Sequence, residues 1–389
     1  MIMVCRFFLI LFLMIESANA WDFRGYAKNY IQSFSNQNIN FFDGDSFSES
    51  ISARASVLND FSDQFSFEGS YQIVPYYGPV FIVAYDVRNI NLKSYRAYDL
   101  PLYLDQPNLE NKNSFSIVQN LDRLFFSFSD QSVKATLGRQ IVTFGSAKIV
   151  NPTDVVNPFG LNTIDTEERA GSDSVRLKYF LGNFYVDGGL LFGKDFEKNR
   201  SAAFAKTGLN IGGHNFSLMF MEFRDKNYLY GFDWQGGVGG STVWLEASYV
   251  EGTKDYQKDY TRLSTGIQIY FGSQWSMISE YHFNGIGTFN ENEYLLTALQ
   301  PSFVEANLFL VGRNYFSLMF SKELSALYNL NFGGTMNLND QSVLINLLLS
   351  WNLAENNYLE LGLFPGVGSQ GSEFNLYPDI LYLGYKIYF

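Results

Sequence analysis

The sequence predicts an all-β protein: a transmembrane, antiparallel, up-and-down β-barrel of about 18 strands, with short periplasmic turns and long extracellular loops. Three observations predict it. The chain begins with an export signal, nothing after that signal is apolar enough to cross a bilayer as a helix, and segments of about ten residues alternate apolar with polar side chains up to a terminal Phe389. Composition agrees. Aromatic residues are 18% of the 389 and charged residues 17%, against roughly 25% charged in soluble domains. The net charge of −12, without a long basic run, argues against a nucleic-acid partner. Two His and one Cys leave no disulfide framework and little for a metal site, so no metal and no cofactor is expected.

Residues 1–20 read MIMVCRFFLILFLMIESANA. Arg6 supplies the positive charge, Phe7 to Ile15 is an apolar core of nine residues, and Ala18-Asn19-Ala20 is a small-x-small cleavage site. A spanning helix needs about 20 apolar residues. Cys5 precedes the apolar core and leaves with the signal, so the mature chain from Trp21 carries no cysteine. Residues 21–389 then form one barrel domain. No later stretch approaches the length of a spanning helix: Leu344 to Leu349 lasts six residues and is interrupted by Asn346.

Alternation defines the wall. Val175, Leu177, Tyr179 and Leu181 oppose Ser174, Arg176 and Lys178, and Val243, Leu245, Ala247 and Tyr249 oppose Thr242, Glu246 and Ser248. Leu263, Ile267, Ile269 and Phe271 oppose Arg262, Ser264 and Gln268, and Val343, Ile345, Leu347, Leu349 and Trp351 oppose Ser342, Asn346 and Ser350. Strands are expected near 22–34, 48–61, 64–76, 121–129, 132–144, 171–181, 183–193, 201–212 and 214–223. The second half continues near 227–236, 240–250, 260–271, 274–284, 313–323, 326–337, 342–353, 356–365 and 378–389. Tight connectors (62–63, 130–131, 182, 213, 272–273, 354–355) alternate with long ones (35–47, 77–120, 145–170, 285–312, 366–377), as an even-stranded barrel requires. A count of 16 or 20 stays open, because 80–88 and 303–311 each carry a strand pattern. The last strand, Asp379 to Phe389, puts Leu381, Leu383, Tyr385, Ile387 and Phe389 on one face. This resembles the final strand of bacterial outer-membrane barrels, which implies recognition of Phe389 by the barrel-assembly machinery.

Eighteen strands enclose a water-wide lumen. Read inward from the alternation, its basic lining is Arg24, Lys28, Arg54, Arg123, Arg176, Lys178, Lys206, Arg262 and Lys386, and its acidic lining is Glu68, Asp187, Glu246, Glu280 and Glu360. A basic wall facing a more acidic one would set a transverse field. The alternative is that these charges solvate the lumen and pair across neighbouring strands. Loop 145–170 contains Asn151-Pro152 and Asn157-Pro158, which forbid a strand, together with apolar Val155, Val156 and Phe159. It is expected to fold inward as a constriction, or else to pack on its neighbours at the surface.

Gly138-Arg139-Gln140, Phe144-Gly145, Asn151-Pro152-Thr153-Asp154 and Asn157-Pro158-Phe159 together resemble porin-like outer-membrane barrels of Gram-negative bacteria. With the strand Ser172 to Leu177, the Gly-Arg-Gln piece is also similar to alginate-export-like barrels; the match covers roughly 121–181. The resemblance implies that Arg139, Arg176 and Asp154 line a constriction. Simple alternation puts Arg139 with Val133, Ala135 and Leu137 on the lipid side, and a bulge or phase slip at Gly138 is needed to turn it inward.

Catalysis has few candidates. His214 lies at a tight turn, and His282 shares a face with Glu280 and Ser276, a conceivable Ser/His/acid set whose ordinary reading is a polar stripe. Asp43-Gly44-Asp45 faintly suggests a calcium loop but lacks the ligand at the twelfth position of an EF-hand, and Gly236 to Gly240 lacks the context of a phosphate cradle. The expectation is therefore a non-enzymatic channel of the Gram-negative outer membrane, passing small polar solutes amid outer-membrane lipid and lipopolysaccharide. A homo-oligomer is left open. An exporter of an anionic polymer such as a polyuronate, and a surface-binding or adhesion barrel using 77–120 and 285–312, are the alternatives.

Overall fold

The computed structural model describes residues 21–35, 46–79, 95–108, 110–111, 113–224, 226–252 and 258–389. The export signal expected at 1–20, the Asp43-Gly44-Asp45 run and the strand pattern at 80–88 lie outside them. The first half of the wall comprises β1 (Asp22–Ser35), β2 (Ser46–Asp60), β3 (Phe65–Pro79), β4 (Tyr103–Asp105) and β5 (Asn113–Ser129). It continues through β6 (Val133–Gln140), β7 (Ser172–Leu181), β8 (Phe184–Leu191), β9 (Ala202–Ile211) and β10 (His214–Phe223). The second half comprises β11 (Asn227–Val238), β12 (Ser241–Gly252), β13 (Tyr260–Phe271), β14 (Trp275–Asn284) and β15 (Asn314–Ser325). Last come β16 (Tyr328–Asn337), β17 (Val343–Ala354), β18 (Asn357–Phe364), β19 (Gly366–Val367) and β20 (Asp379–Tyr388).

Two of these stand off the ring. β4 pairs with β5 at Val118, above the point where β6 has ended, and β19 continues the pairing with β17 after Pro365 interrupts β18. The other eighteen pair with sequence neighbours, all antiparallel, and β1 closes on β20 from Tyr26–Tyr388 to Ser35–Asp379. Closure gives each of the eighteen strands a neighbour on both sides, which is what lets a sheet stand in hydrocarbon.

Side chains follow the pleat inside out. Leu137, Leu177, Leu361 and Leu383 are 59%, 54%, 50% and 41% exposed on the outer face, whereas Lys28, Glu246, Ser264 and Asn337 are wholly buried within. A soluble sheet buries its apolar face; this one presents it outward. At the tight-turn end, Asp130 accepts the backbone N–H groups of Ser132 and Val133 at 2.7 Å each and pins the β5–β6 turn.

Three departures from the sequence expectation have local causes. β5 begins at Asn113 rather than 121, because β3 runs on to Pro79 and pairs with all of it. The alternation Ser114-Phe115-Ser116-Ile117 carried that signal inside what reads as a loop. β6 stops at Gln140 rather than 144, since residues 141–144 leave the wall toward Gly145, whose φ is +91°. Residues 303–311 are not a strand: α1 (Tyr294–Ala298) is followed by α2 (Pro301–Glu305), where Pro301 fits the first helical turn. A slip of register at Ser70/Tyr71 leaves Asp122 as an extra residue on β5, so Asp122 and Arg123, adjacent in sequence, are both buried.

Candidate functional site

Residues 141–171 carry no regular structure, so their buried backbone N–H groups must find acceptors elsewhere. Two wall carboxylates supply them. Glu246 on β12 accepts the N–H groups of Ser146, Ala147 and Thr153 at 3.0, 3.0 and 2.8 Å, the Thr153 hydroxyl at 2.7 Å and the Asn151 amide at 3.2 Å. Glu280 on β14 accepts the N–H groups of Lys148, Ile149 and Val150 at 2.8, 3.2 and 2.8 Å and the Trp244 indole at 3.0 Å. A Cβ on Gly145 would sit 2.4 Å from the Glu246 oxygens, so the close approach and the positive φ both call for glycine there. Wall hydroxyls complete the anchor: Ser264 donates to the Val150 carbonyl at 2.6 Å, and Ser248 donates to that of Pro152 at 2.9 Å. The Arg262 guanidinium reaches the Pro152 carbonyl at 3.3 Å.

The middle of the loop is tied to itself and to an apolar cluster. Asp154 accepts the N–H groups of Val156 and Asn157 at 3.0 and 3.1 Å and pairs with Arg169 at 3.0 Å; burial nonetheless pushes its carboxyl up. Val155 and Val156 pack with Val142, Phe144, Phe204 and Met221. Asn157 donates to the Ala170 carbonyl at 2.9 Å, and Phe159 lies under the Arg169 guanidinium at 4.4 Å. Asn307, from the loop that follows α2, donates to the carbonyls of Val155 and Val156.

The far end of the loop meets strands on the other side of the ring. Lys28 on β1 lies 2.9 Å from Asp165 and 2.7 Å from Glu167, and Lys386 on β20 lies 2.7 Å from Glu167 and 2.9 Å from Glu360. Arg54 on β2 meets Glu168 at 3.0 Å and Asp122 at 2.6 Å; Arg123 meets the same two at 3.3 and 2.6 Å. Burial works against ionisation of Glu167, but hydrogen bonds from Lys28, Lys386 and Tyr388 outweigh it and bring the carboxyl down to about 2. The segment is therefore a strap across the interior, fastened to β12–β14 at one end and to β1, β2, β5 and β20 at the other.

This changes the electrostatic reading. Glu246 and Glu280 do not face the basic wall across open water; they are consumed by the strap's backbone, and the basic wall is met by the strap's own acids. Pairing across neighbouring strands also occurs, with Arg176 and Asp187 at 2.6 Å. Lys178 and Lys206 both stand opposite Asp187 in register, with Lys178 over the Tyr185 ring at 4.1 Å. Glu68 accepts from Ser70 at 3.3 Å, while Arg24 is exposed and pairs with Asp22.

Arg139 is not on the lipid face. It is 5% exposed, with Nε 2.7 Å from Asp173 and Nη1 2.9 Å from Asp99. The cause is the φ of +121° at Gly138, without an inserted residue, since the register with β5 and β7 runs through unbroken. His282 bonds Ser264 at 2.8 Å rather than Ser276, and Glu280 is committed to the strap, so the conceivable Ser/His/acid set is not assembled. His214 stacks on Trp234 at the tight-turn end.

Sequence reasoning missed Asp122, Asp165, Glu167, Glu168 and Asp173. The run Asp165-Thr166-Glu167-Glu168 was the available signal, an acidic cluster inside a loop expected to turn toward basic strands.

No protein-family profile and no curated protein matches the chain. Among solved structures it is similar to Acinetobacter baumannii OccAB4, with a TM-score of 0.61 at 10% identity, covering 95% of this chain and 98% of that one. It is also similar to A. baumannii OccAB3 (TM-score 0.60, 8% identity, 95% and 99% covered) and to Pseudomonas aeruginosa OccD3 (OpdP) (0.54, 10%, 94% and 91%). The fold is thus a closed eighteen-strand antiparallel barrel like that of these solved structures.

Proposed function

We propose that the protein is an outer-membrane channel through which small polar solutes cross by passive diffusion, filtered by the strap at 145–170. One observation carries the reading: a closed barrel, apolar outside and polar within, is crossed by a loop fastened to opposite walls. The barrel removes the membrane's desolvation barrier, and polar groups of the lining replace part of a solute's hydration. The strap divides the lumen, which limits size, and its charges together with Arg176, Lys178 and Lys206 bias passage by charge.

A strap fastened across the interior narrows the lumen, which suits small solutes better than a polyuronate. Recordings from residues 21–389 in planar bilayers test this. Discrete, stable conductance steps with no block by polyuronate are expected. Block by polyuronate would favour polymer export, and a silent barrel would end the channel reading and leave a surface-binding role.

A further inference from the structure

Four cations of the inner wall lie buried under the tip of the strap. The side chains of Lys28, Arg54, Arg123 and Lys386 are 0%, 5%, 3% and 7% exposed. A solute in the lumen cannot touch these charges while Asp165, Glu167 and Glu168 sit on them. The two ends of the strap are also held by different physics. At the near end, six backbone N–H groups go to the buried carboxylates of Glu246 and Glu280, and directional bonds of that kind respond little to salt. At the far end the acids are 26%, 40% and 37% exposed, so their attraction is open to screening.

We propose that Asp165, Glu167 and Glu168 form an electrostatic latch, an internal anion that occupies the cation site of the wall until salt or a passing anion displaces it. The proposal rests on the channel reading and supplies its regulation. With the tip seated, Lys28, Arg54, Arg123 and Lys386 face five carboxylates, those of the tip together with Asp122 and Glu360. With the tip displaced the four cations face two. Unlatching therefore does more than widen the path: it turns this side of the lumen from slightly acidic to basic. The hinge lies before Arg169, which stays tied to Asp154 and, through its carbonyl, to Arg123 at 2.8 Å.

The mature chain has no cysteine, so one introduced thiol reports the latch. Ser52 is 7% exposed and stands opposite Lys28 in the β1–β2 register. S52C in barrels of residues 21–389 in liposomes is treated with a negatively charged methanethiosulfonate at about 0.1 and 1 M KCl, where the Debye length falls from roughly 10 to 3 Å. Slow modification at low salt and faster modification at high salt are expected. In the D165N/E167Q/E168Q background the thiol should react fast at both, and the reversal potential in a KCl gradient should shift toward that of chloride. Equal, slow modification in both backgrounds overturns the latch; if those barrels still conduct, the channel reading stands. Fast modification in silent barrels supports the latch and sinks the channel. Should the triple variant fail to assemble, K386M removes one of the two wall cations that hold Glu167, the other being Lys28, and is read in the same direction with a smaller change expected.

Discussion

Glu246→Gln isolates the near end of the strap. The substitution preserves shape but leaves one acceptor oxygen where there were two. One carboxylate oxygen takes the N–H and the hydroxyl of Thr153, and the other takes the N–H groups of Ser146 and Ala147 and the Asn151 amide. Whichever way the new amide turns, at least two donors lose their acceptor and face an NH2 group. Hydrogen bonds to a charged partner contribute about 1.5–3 kcal/mol each, so two cost about 3–6 kcal/mol. Relief from burying a charge favours the lower end. A loss of about 3 kcal/mol raises the population of the undocked strap roughly a hundredfold. Amide hydrogen exchange on the protein in detergent micelles reads this directly, because protection at Ala147 and Thr153 reports local opening. Protection at those amides should fall by about two orders of magnitude while that of β12 and β13 is retained. Glu68→Gln, whose carboxylate accepts from Ser70 at 3.3 Å and touches no residue of the strap among the described residues, is the control and should leave protection at Ala147 and Thr153 unchanged. Unchanged protection at Ala147 and Thr153 in the Glu246 variant would refute the claim that this carboxylate fastens the strap.

Gly138→Ala places a Cβ 2.2 Å from the Leu124 carbonyl at a φ of +121°, and should destabilise the barrel by about 1–3 kcal/mol, measured by its heat-modifiable mobility on gels. At the long-loop end, burial pushes the Glu373 carboxyl up to about 7, where it accepts from the Val311 N–H, the Tyr315 hydroxyl and the Asn337 amide. An acid whose pKa is raised in the folded state penalises folding once pH exceeds its unfolded value. Stability should therefore decline between about pH 4.5 and 7, by at most about 3 kcal/mol, and Glu373→Gln should flatten that slope in melting curves. Phe389 exchanges backbone hydrogen bonds with Gly25 at 2.7 and 3.0 Å and is nonetheless 69% exposed. Phe389→Ser should accordingly slow insertion by purified assembly machinery, with little change in the melting temperature of barrels already formed.

The wall was legible in the chain because lipid and water impose opposite demands on successive residues. Val175, Leu177, Tyr179 and Leu181 declare the outer face at every second position, and a slip by one would drive Arg176 and Lys178 into hydrocarbon. The same rule failed at Arg139, because a glycine can turn the backbone without leaving a gap in the pattern. It failed as well at residues 113–120, where the alternation was present but lay next to a long loop. Apolar residues between two Asn-Pro steps pointed to an inward loop, yet not to its partners. Lys28 and Asp165 are 137 positions apart, and no local pattern joins them.

The strand sequence by itself therefore determined the sealed cylinder, its greasy and wet faces and its approximate circumference, since those follow from side-chain period and from the need to pair every backbone group in lipid. Which charges meet inside was decided only by tertiary structure. Glu246 and Glu280 found backbone N–H groups in place of cations, and the basic strands found the acids of the strap. An irregular segment must satisfy its polar groups wherever it lands, and where it lands is set by the closed ring around it.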